Sequence, residues 1–229
     1  MRPAGKLKRI PANPKERQVA RYPGVCHIEG PHFERKLALT FDDGPSGLTE
    51  VLLDLLEELD VKATFFWLGQ NLKEFNASAR RALAEGHTFG NHSFDHTNFT
   101  KISTDEVLRE QIRKTQLIYR ETLGIEPTLV RPPFGMVTDE SIERLKGIGM
   151  KIVFWSIDSG DWFTGNNSAD RVANRVLINL HEEAIVLMHE GESARRDTIE
   201  AVRAIVDTCR MRGYEFVSVH DLIGAERSL

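Results

Sequence analysis

Thr40-Phe41-Asp42-Asp43-Gly44-Pro45 is the stretch that decides how the chain folds. The residues leading into it, Lys36-Leu37-Ala38-Leu39-Thr40-Phe41, read as a short buried strand. Two adjacent carboxylates and a Gly-Pro breaker then end it. Burying an unpaired carboxylate is costly, so the pair faces water at a strand end or meets a cation. Taken alone, Asp-Asp-Gly-Pro equally describes a polar turn in which an Asp caps the next helix.

Outward from this stretch a rhythm runs to the end of the chain. Apolar runs predict strands at 37–41, 62–67, 87–91, 127–130, 151–157, 184–188 and 214–218. Helices are expected between them. Residues 49–59 carry Val51, Leu52, Leu55, Leu56 and Leu59 on one face, and others cover roughly 70–85, 103–123, 138–148, 168–181 and 194–212. Ser103-Thr104-Asp105-Glu106 has the form of a capping box, and Gly86, Gly124, Gly149 and Gly213 stand where helices should stop. Alternating strands and helices imply a parallel sheet covered on its outside.

An open doubly wound sheet shares that rhythm, but the polar residues favour a closed or nearly closed α/β barrel. Asp42 and Asp43 follow the first strand, His92 and His96 the third, Arg131 the fourth, Asp158 and Asp161 the fifth, and His189 the sixth. In a barrel these C-terminal strand ends converge on one face, where active sites sit. Residues 1–35 are rich in Pro, Lys and Arg and lack periodicity. They are expected to form an N-terminal arm, extended or looped on the surface, with a candidate strand near 22–28. Residues 36–229 then make up one domain.

Composition narrows the function classes. The chain has 229 residues, 41% hydrophobic and 28% charged, with net charge −4. It carries no basic stripe that would suggest nucleic acid. No apolar run approaches the ~18 residues needed to span a bilayer. Arg2, Lys6, Lys8 and Arg9 are not followed by an apolar segment, so the start does not read as a signal peptide, and the compartment stays open. Cys26 and Cys209 are not a CxxC metal pair. Cys209 shares a helical apolar stripe with Ile199, Val202, Ile205 and Val206, which predicts a buried, inert thiol. A Cys26–Cys209 bridge is the alternative.

His92 and His96 stand four residues apart, a spacing that places both on one face of a helical turn. Beside an acidic pair at a neighbouring strand end, they suggest a site of two imidazoles and one carboxylate, with a position open for water. A metal held this way acidifies water and polarises a carbonyl. One carboxylate suffices as ligand, and the other is free to act as general base. The residues alone do not say which is which. Arg131 is placed to hold the free carboxylate ionised. The N–H of Phe134, after Pro132-Pro133, is a candidate oxyanion donor. His189 becomes a catalytic acid if a carboxylate backs its far nitrogen, and Asp158 or Asp161 could supply one. Trp162 beside them would exclude water. His27, His32, His87, His181 and His220 lack such company and are read as structural or surface.

Together these segments resemble the polysaccharide deacetylases of the NodB-homology type, carbohydrate esterase family 4. That family shows five motifs in order, matched here at 40–45, 92–96, 131–135, 158–162 and 187–189 within a resemblance covering about residues 36–223. The resemblance implies a NodB-like distorted (β/α)7–8 barrel. It also implies metal-dependent removal of N-acetyl groups from aminosugar polymers or oligomers, peptidoglycan or chitin-like. By motif, Asp43, His92 and His96 are the implied ligands of one divalent ion, zinc first, with cobalt, nickel, manganese or iron as alternatives. Asp42 is the implied base with Arg131 its tether, and His189 the implied acid with Asp161 its partner. The Phe134 N–H is the implied oxyanion donor, while Trp162 and Leu187 are implied walls of the acetate pocket.

Two positions depart from the family. Phe134 replaces the usual Tyr, which matters little if the donor is main chain. Glu190 replaces the usual Asp after His189, with only a changed rim expected. The same motifs occur in acetyl-xylan esterases, so an O-deacetylase is an alternative, as is a carbohydrate-binding barrel without turnover. An N-acetylated glycan is the expected partner, and a monomer or weak oligomer the expected state. The family suggests the cell envelope or secretion.

Overall fold

The computed structural model describes residues 13–163, 168–191 and 196–227. The first twelve residues of the expected arm, and the first two of the helix expected at 194–212, lie outside them. Nine strands form one sheet among the described residues: β1 Cys26–His27, β2 Lys36–Asp42, β3 Thr64–Trp67, β4 Thr88–Asn91, β5 Leu129–Val130, β6 Lys151–Val153, β7 Ile157–Asp158, β8 Ala184–His189 and β9 Glu215–Phe216. Their order is β1-β6-β5-β4-β3-β2-β8-β7, with β9 against the start of β2, and every ladder is parallel.

The strand expected over 151–157 is two strands. β6 pairs with β5 and β1, whereas β7 pairs with β8. Between them the Phe154 N–H still donates to His27 O (2.8 Å), but the Ser156 N–H donates to Ile185 O (3.1 Å). The chain itself therefore crosses from one flank of the curled sheet to the other. The architecture is a NodB-like distorted barrel, joined by a crossing segment where a regular barrel would have a continuous ladder.

Alternation along β2 builds the two sides of this wall, since successive side chains of a strand point to opposite faces. Leu37, Leu39 and Phe41 pack outward with Leu52, Leu53 and Leu56 of the helix Thr49–Glu58 and with Val202, Ile205, Val206 and Cys209 of the helix Arg196–Met211. Ala38 packs in the interior cluster with Phe66, Leu129, Val153 and Ile185. Cys26 and Cys209 are free and buried in different clusters, so the bridge does not form. Burial pushes the Cys26 thiol up to about 12 and that of Cys209 up to about 11, which keeps both protonated and inert. No helix among the described residues is long and apolar enough to cross a membrane.

Three further expectations are corrected. Residues 14–21 are not an extended arm or loop: β1 falls within the candidate strand near 22–28 and adds to the sheet beside β6, but Pro14–Arg21 is a helix. Its signals were the Asn13 N-cap, whose Oδ1 accepts from the Glu16 N–H (3.0 Å), and a proline in the first turn. The helix expected over 70–85 is two, Gly69–Leu72 and Asn76–Ala84. The one over 103–123 begins with the predicted capping box, then widens into a π-helical segment, Val107–Arg113, before regular helix resumes at Lys114–Leu123.

Candidate active site

Asp42 ends β2 and His189 ends β8, and the two are register partners on adjacent strands. Backbone pairing continues one residue past the strand ends. The Asp43 N–H donates to Phe66 O (3.2 Å), His92 to Trp67 O (3.1 Å), Arg131 to Asn91 O (3.0 Å) and Glu190 to Asp42 O (3.0 Å). The sheet thus fixes the main chain under each polar side chain. These side chains meet at a cavity of about 380 Å³, lined by Asp42, Asp43, His92, His96 and His189 together with Pro132, Phe134, Trp155, Asp158, Trp162 and Leu187.

The two histidines reach it by a route their spacing did not suggest. Residues 92–96 are an irregular loop rather than a helical turn, with Ser93 and His96 at φ 78° and 64°. Side chains hold it. The Ser93 N–H donates to Asn91 Oδ1 (2.9 Å), the His96 N–H to Ser93 Oγ (2.9 Å) and the Phe94 N–H to Gln111 Oε1 (2.9 Å). Gln111 belongs to the π-helical segment, and Asn91 Nδ2 donates to the Ile112 carbonyl there (3.1 Å). A π turn shifts the i→i−4 ladder and often marks a functional site. Here it receives Asn91 and presents Gln111 to the loop.

His92 is buried, and its Nδ1–H donates to the Arg131 carbonyl (2.7 Å), which leaves Nε2 free to bind an ion. Asp43 Oδ1 lies 3.4 Å from His92 Nε2 and 3.4 Å from His96 Nε2, is buried, and has no hydrogen-bond partner among the described residues. Ligand atoms of all three residues lie within 4.8 Å of one another. Two ligands on one tetrahedral ion with bonds of ~2.0–2.1 Å stand ~3.3–3.4 Å apart, so this donor set fits a divalent cation such as zinc. Burial opposes the Asp43 carboxylate, but His92, His189 and His96 around it hold its pKa well below the usual carboxylate range.

Asp42 is differently placed. Arg131, fully buried against Phe66, donates from Nη1 to Asp42 Oδ1 (2.7 Å) and Thr40 Oγ1 (2.7 Å). Its Nε and Nη2 donate to the carbonyls of Val153 (3.3 Å) and Phe154 (3.1 Å). Asp42 Oδ2 remains on the cavity side, 3.7 Å from His92 Nε2. The neighbouring carboxylates therefore differ: one is tethered to a guanidinium, the other lies between two imidazoles.

His189 Nδ1–H donates to Asp161 Oδ1 (2.8 Å), while Asp161 Oδ2 accepts from the His189 N–H (2.7 Å) and from Thr198 Oγ1 (3.2 Å). Burial works against the imidazolium, but the hydrogen bond to Asp161 and the charges of Asp161, Asp42 and Asp43 outweigh it and raise His189 to about 9. Asp158 instead accepts from Trp162 Nε1 (3.0 Å) and the Gly160 N–H (2.9 Å). Phe134 stands at φ 60° in a short turn, with its ring edge-on to His96 at 4.6 Å between centroids. A bulky residue in the left-handed region is a strained feature of the kind that clusters at functional sites.

Glu190 is not a rim residue, contrary to expectation. It is 1% exposed and accepts from Thr49 Oγ1 (2.6 Å) and Trp67 Nε1 beneath the Asp43-Gly44 loop. Burial, with Asp43 nearby, raises its pKa to about 7. Sequence reasoning also missed Trp155 as a cavity wall, because the apolar run 151–157 concealed the crossing at that residue.

The family described as polysaccharide deacetylase matches residues 29–153. A peptidoglycan-N-acetylglucosamine deacetylase of Listeria monocytogenes is 38% identical over 96% of this chain, which spans only 45% of that protein's length. The crystal structure of the Bc1960 peptidoglycan N-acetylglucosamine deacetylase superposes with TM-score 0.84 at 33% identity, covering 87% of this chain and 93% of that one. A pseudoenzyme of the CE4 family from Bacillus anthracis superposes with TM-score 0.76 at 29% identity, covering 85% of this chain and 67% of that one.

Proposed function

The chain belongs to the polysaccharide deacetylase family, and we propose that it is a metal-dependent hydrolase that removes N-acetyl groups from an aminosugar glycan, peptidoglycan before chitin-like chains. The observation that carries this reading is Asp43 Oδ1. It is a buried oxygen with no hydrogen-bond partner among the described residues, equidistant at 3.4 Å from two imidazole nitrogens and flanked by Asp42 and His189 on paired strands. Asp43, His92 and His96 would hold the ion. When bound, it acidifies water and polarises the acetamide carbonyl.

The chain's own groups account for the proton transfers. Asp42, oriented by Arg131, removes a proton from the attacking water through Oδ2. The water oxygen adds to the acetamide carbon, and the Phe134 N–H stabilises the developing oxyanion. His189, kept protonated and turned by Asp161, gives its proton to the departing nitrogen as the C–N bond breaks. Acetate and a free amine result. Trp162 and Leu187, with Trp155 and Pro132, wall the acetyl group away from bulk water.

Acetate release from peptidoglycan, chitin oligomers and acetyl-xylan, with one defined divalent metal, tests this reading. Turnover is expected on the N-acetylated glycans. Release from acetyl-xylan alone would favour an O-deacetylase. No release from any of them would favour a carbohydrate-binding barrel without turnover. Against that state stand the paired acid and base, both with their supporting groups present.

A further inference from the structure

Lys15 lies on the helix Pro14–Arg21, ahead of residues 29–153. The helix nevertheless packs on the cavity wall. Gln18 Nε2 donates to the Val137 carbonyl (2.7 Å), and Arg21 pairs with Asp139. The Lys15 ammonium sits 3.4 Å from the centroid of the Trp155 ring, and its Cδ lies 3.3 Å from where a Cβ on Gly135 would stand. Lys15 thus spans the wall formed by Trp155 and the turn that bears Phe134. Trp155 and Asp158 line both the catalytic cavity and an adjoining groove of about 870 Å³ that Lys15 also lines. The two share those walls, so a chain of sugars with one acetamide in the cavity would leave along this groove, where Lys15 stands among the carboxylates of Glu16, Glu29 and Asp158.

Lys15 forms no ion pair among the described residues. Asp158 acts on it at a distance, but the nearer Asp158 oxygen contacts are with Trp162 and Gly160. Desolvation is the largest influence and outweighs Asp158, with Arg131 adding to it, so the ammonium is pushed down to about 8. It remains mostly charged at neutral pH, and an incoming anion would stabilise it. Neutral sugar hydroxyls would not compensate a desolvated ammonium to the same extent.

Resting on the deacetylase reading above, we propose that Lys15 is a specificity-determining residue that pairs with a carboxylate carried by the glycan beside the acetamide under attack, so that anionic aminosugar chains are selected over neutral ones. In peptidoglycan-type glycans that carboxylate belongs to the lactyl ether of the muramic unit or to the peptide joined to it. Chitin-type chains have none.

The test compares wild type, Lys15→Gln and Lys15→Arg on three oligosaccharides of matched length. These are a glycan with free lactyl carboxylates, the same glycan with its peptides, and a chitin oligomer. Both kcat/KM for acetate release and Kd, from tryptophan fluorescence, are measured. Lys15→Gln should lower the preference for anionic over neutral chains by about tenfold in either quantity, the scale of one hydrogen bond to a charged group. Lys15→Arg should keep most of it. The anionic substrate that loses more identifies the source of the carboxylate. Equal losses on all three glycans, or an unchanged Kd ratio, would overturn the assignment and leave Lys15 as packing. If the Kd ratio shifts while no glycan releases acetate, the carboxylate site stands and the deacetylase reading fails.

Discussion

Arg131 Nη1 donates to Asp42 Oδ1 at 2.7 Å, with the two side chains 0% and 3% exposed. A buried guanidinium and a buried carboxylate thus depend on one another inside the barrel. Removing one partner of such a pair costs about 3–5 kcal/mol, because the other is left as an uncompensated charge. Arg131→Ala should therefore lower unfolding stability by that order, measured in urea, and impair rate more than metal affinity. A loss below about 1 kcal/mol would mean that solvent reaches Asp42 and the tether is dispensable.

Under the proposed mechanism, His189 and Asp161 should set the alkaline side of the activity profile. An acid works while protonated, so rate should fall as pH rises through the pKa of His189. That value is about 9 with the surrounding carboxylates alone, and the charge of a bound divalent ion will draw it lower. Asp161→Asn removes a stabilising charge from the imidazolium, so the alkaline limb should move to lower pH. His189→Ala should keep the metal and lose ~10²–10⁴-fold in rate. An alkaline limb unmoved by Asp161→Asn would detach Asp161 from this role.

His87 and His220 give stability its own acid dependence. Both are 3% exposed. Burial, with Lys62 for His87 and Arg227 for His220, pushes each down to about 4. The unfolded chain binds a proton near pH 6.5, and the folded chain only near 4. Between these values the unfolded state holds more protons, so stability falls as pH falls through this window. The effect is on the order of 2–3 kcal/mol for each residue. Protonation of His87 at Nδ1 would also break the bond it accepts from the Ala63 N–H (3.1 Å). His87→Gln should flatten the loss between pH 6.5 and 4 in urea titrations. An equally steep loss in that variant would assign the acid dependence to other groups.

The barrel and the meeting of Asp42, Asp43, His92, His96 and His189 at one cavity were legible because polar residues followed apolar runs at most of the expected strand ends, a pattern with few physical explanations. The loop holding His92 and His96 was not. Its conformation depends on Asn91 and on Gln111, whose placement comes from a π segment that helical periodicity does not reveal. Glu190 looked interchangeable with Asp at a rim, since nothing in its neighbours told of Thr49 and Trp67 closing over it. The helix Pro14–Arg21 carried readable signals in Asn13 and Pro14, but they lay within a stretch whose Pro, Lys and Arg content read as irregular. Its apolar contacts are few and distant in sequence.

Metal content measured beside turnover in Asp42→Asn and Asp43→Asn tests the division of labour between the adjacent carboxylates most directly. Asp42→Asn should retain the ion at wild-type stoichiometry and lose turnover, because an amide cannot take the proton from water. Asp43→Asn should lose the ion, because a neutral amide is a poor replacement for the oxygen that lies 3.4 Å from both imidazoles. Loss of metal in Asp42→Asn with retention in Asp43→Asn would reverse the two roles, and full metal and full rate in both would reduce the pair to a polar turn.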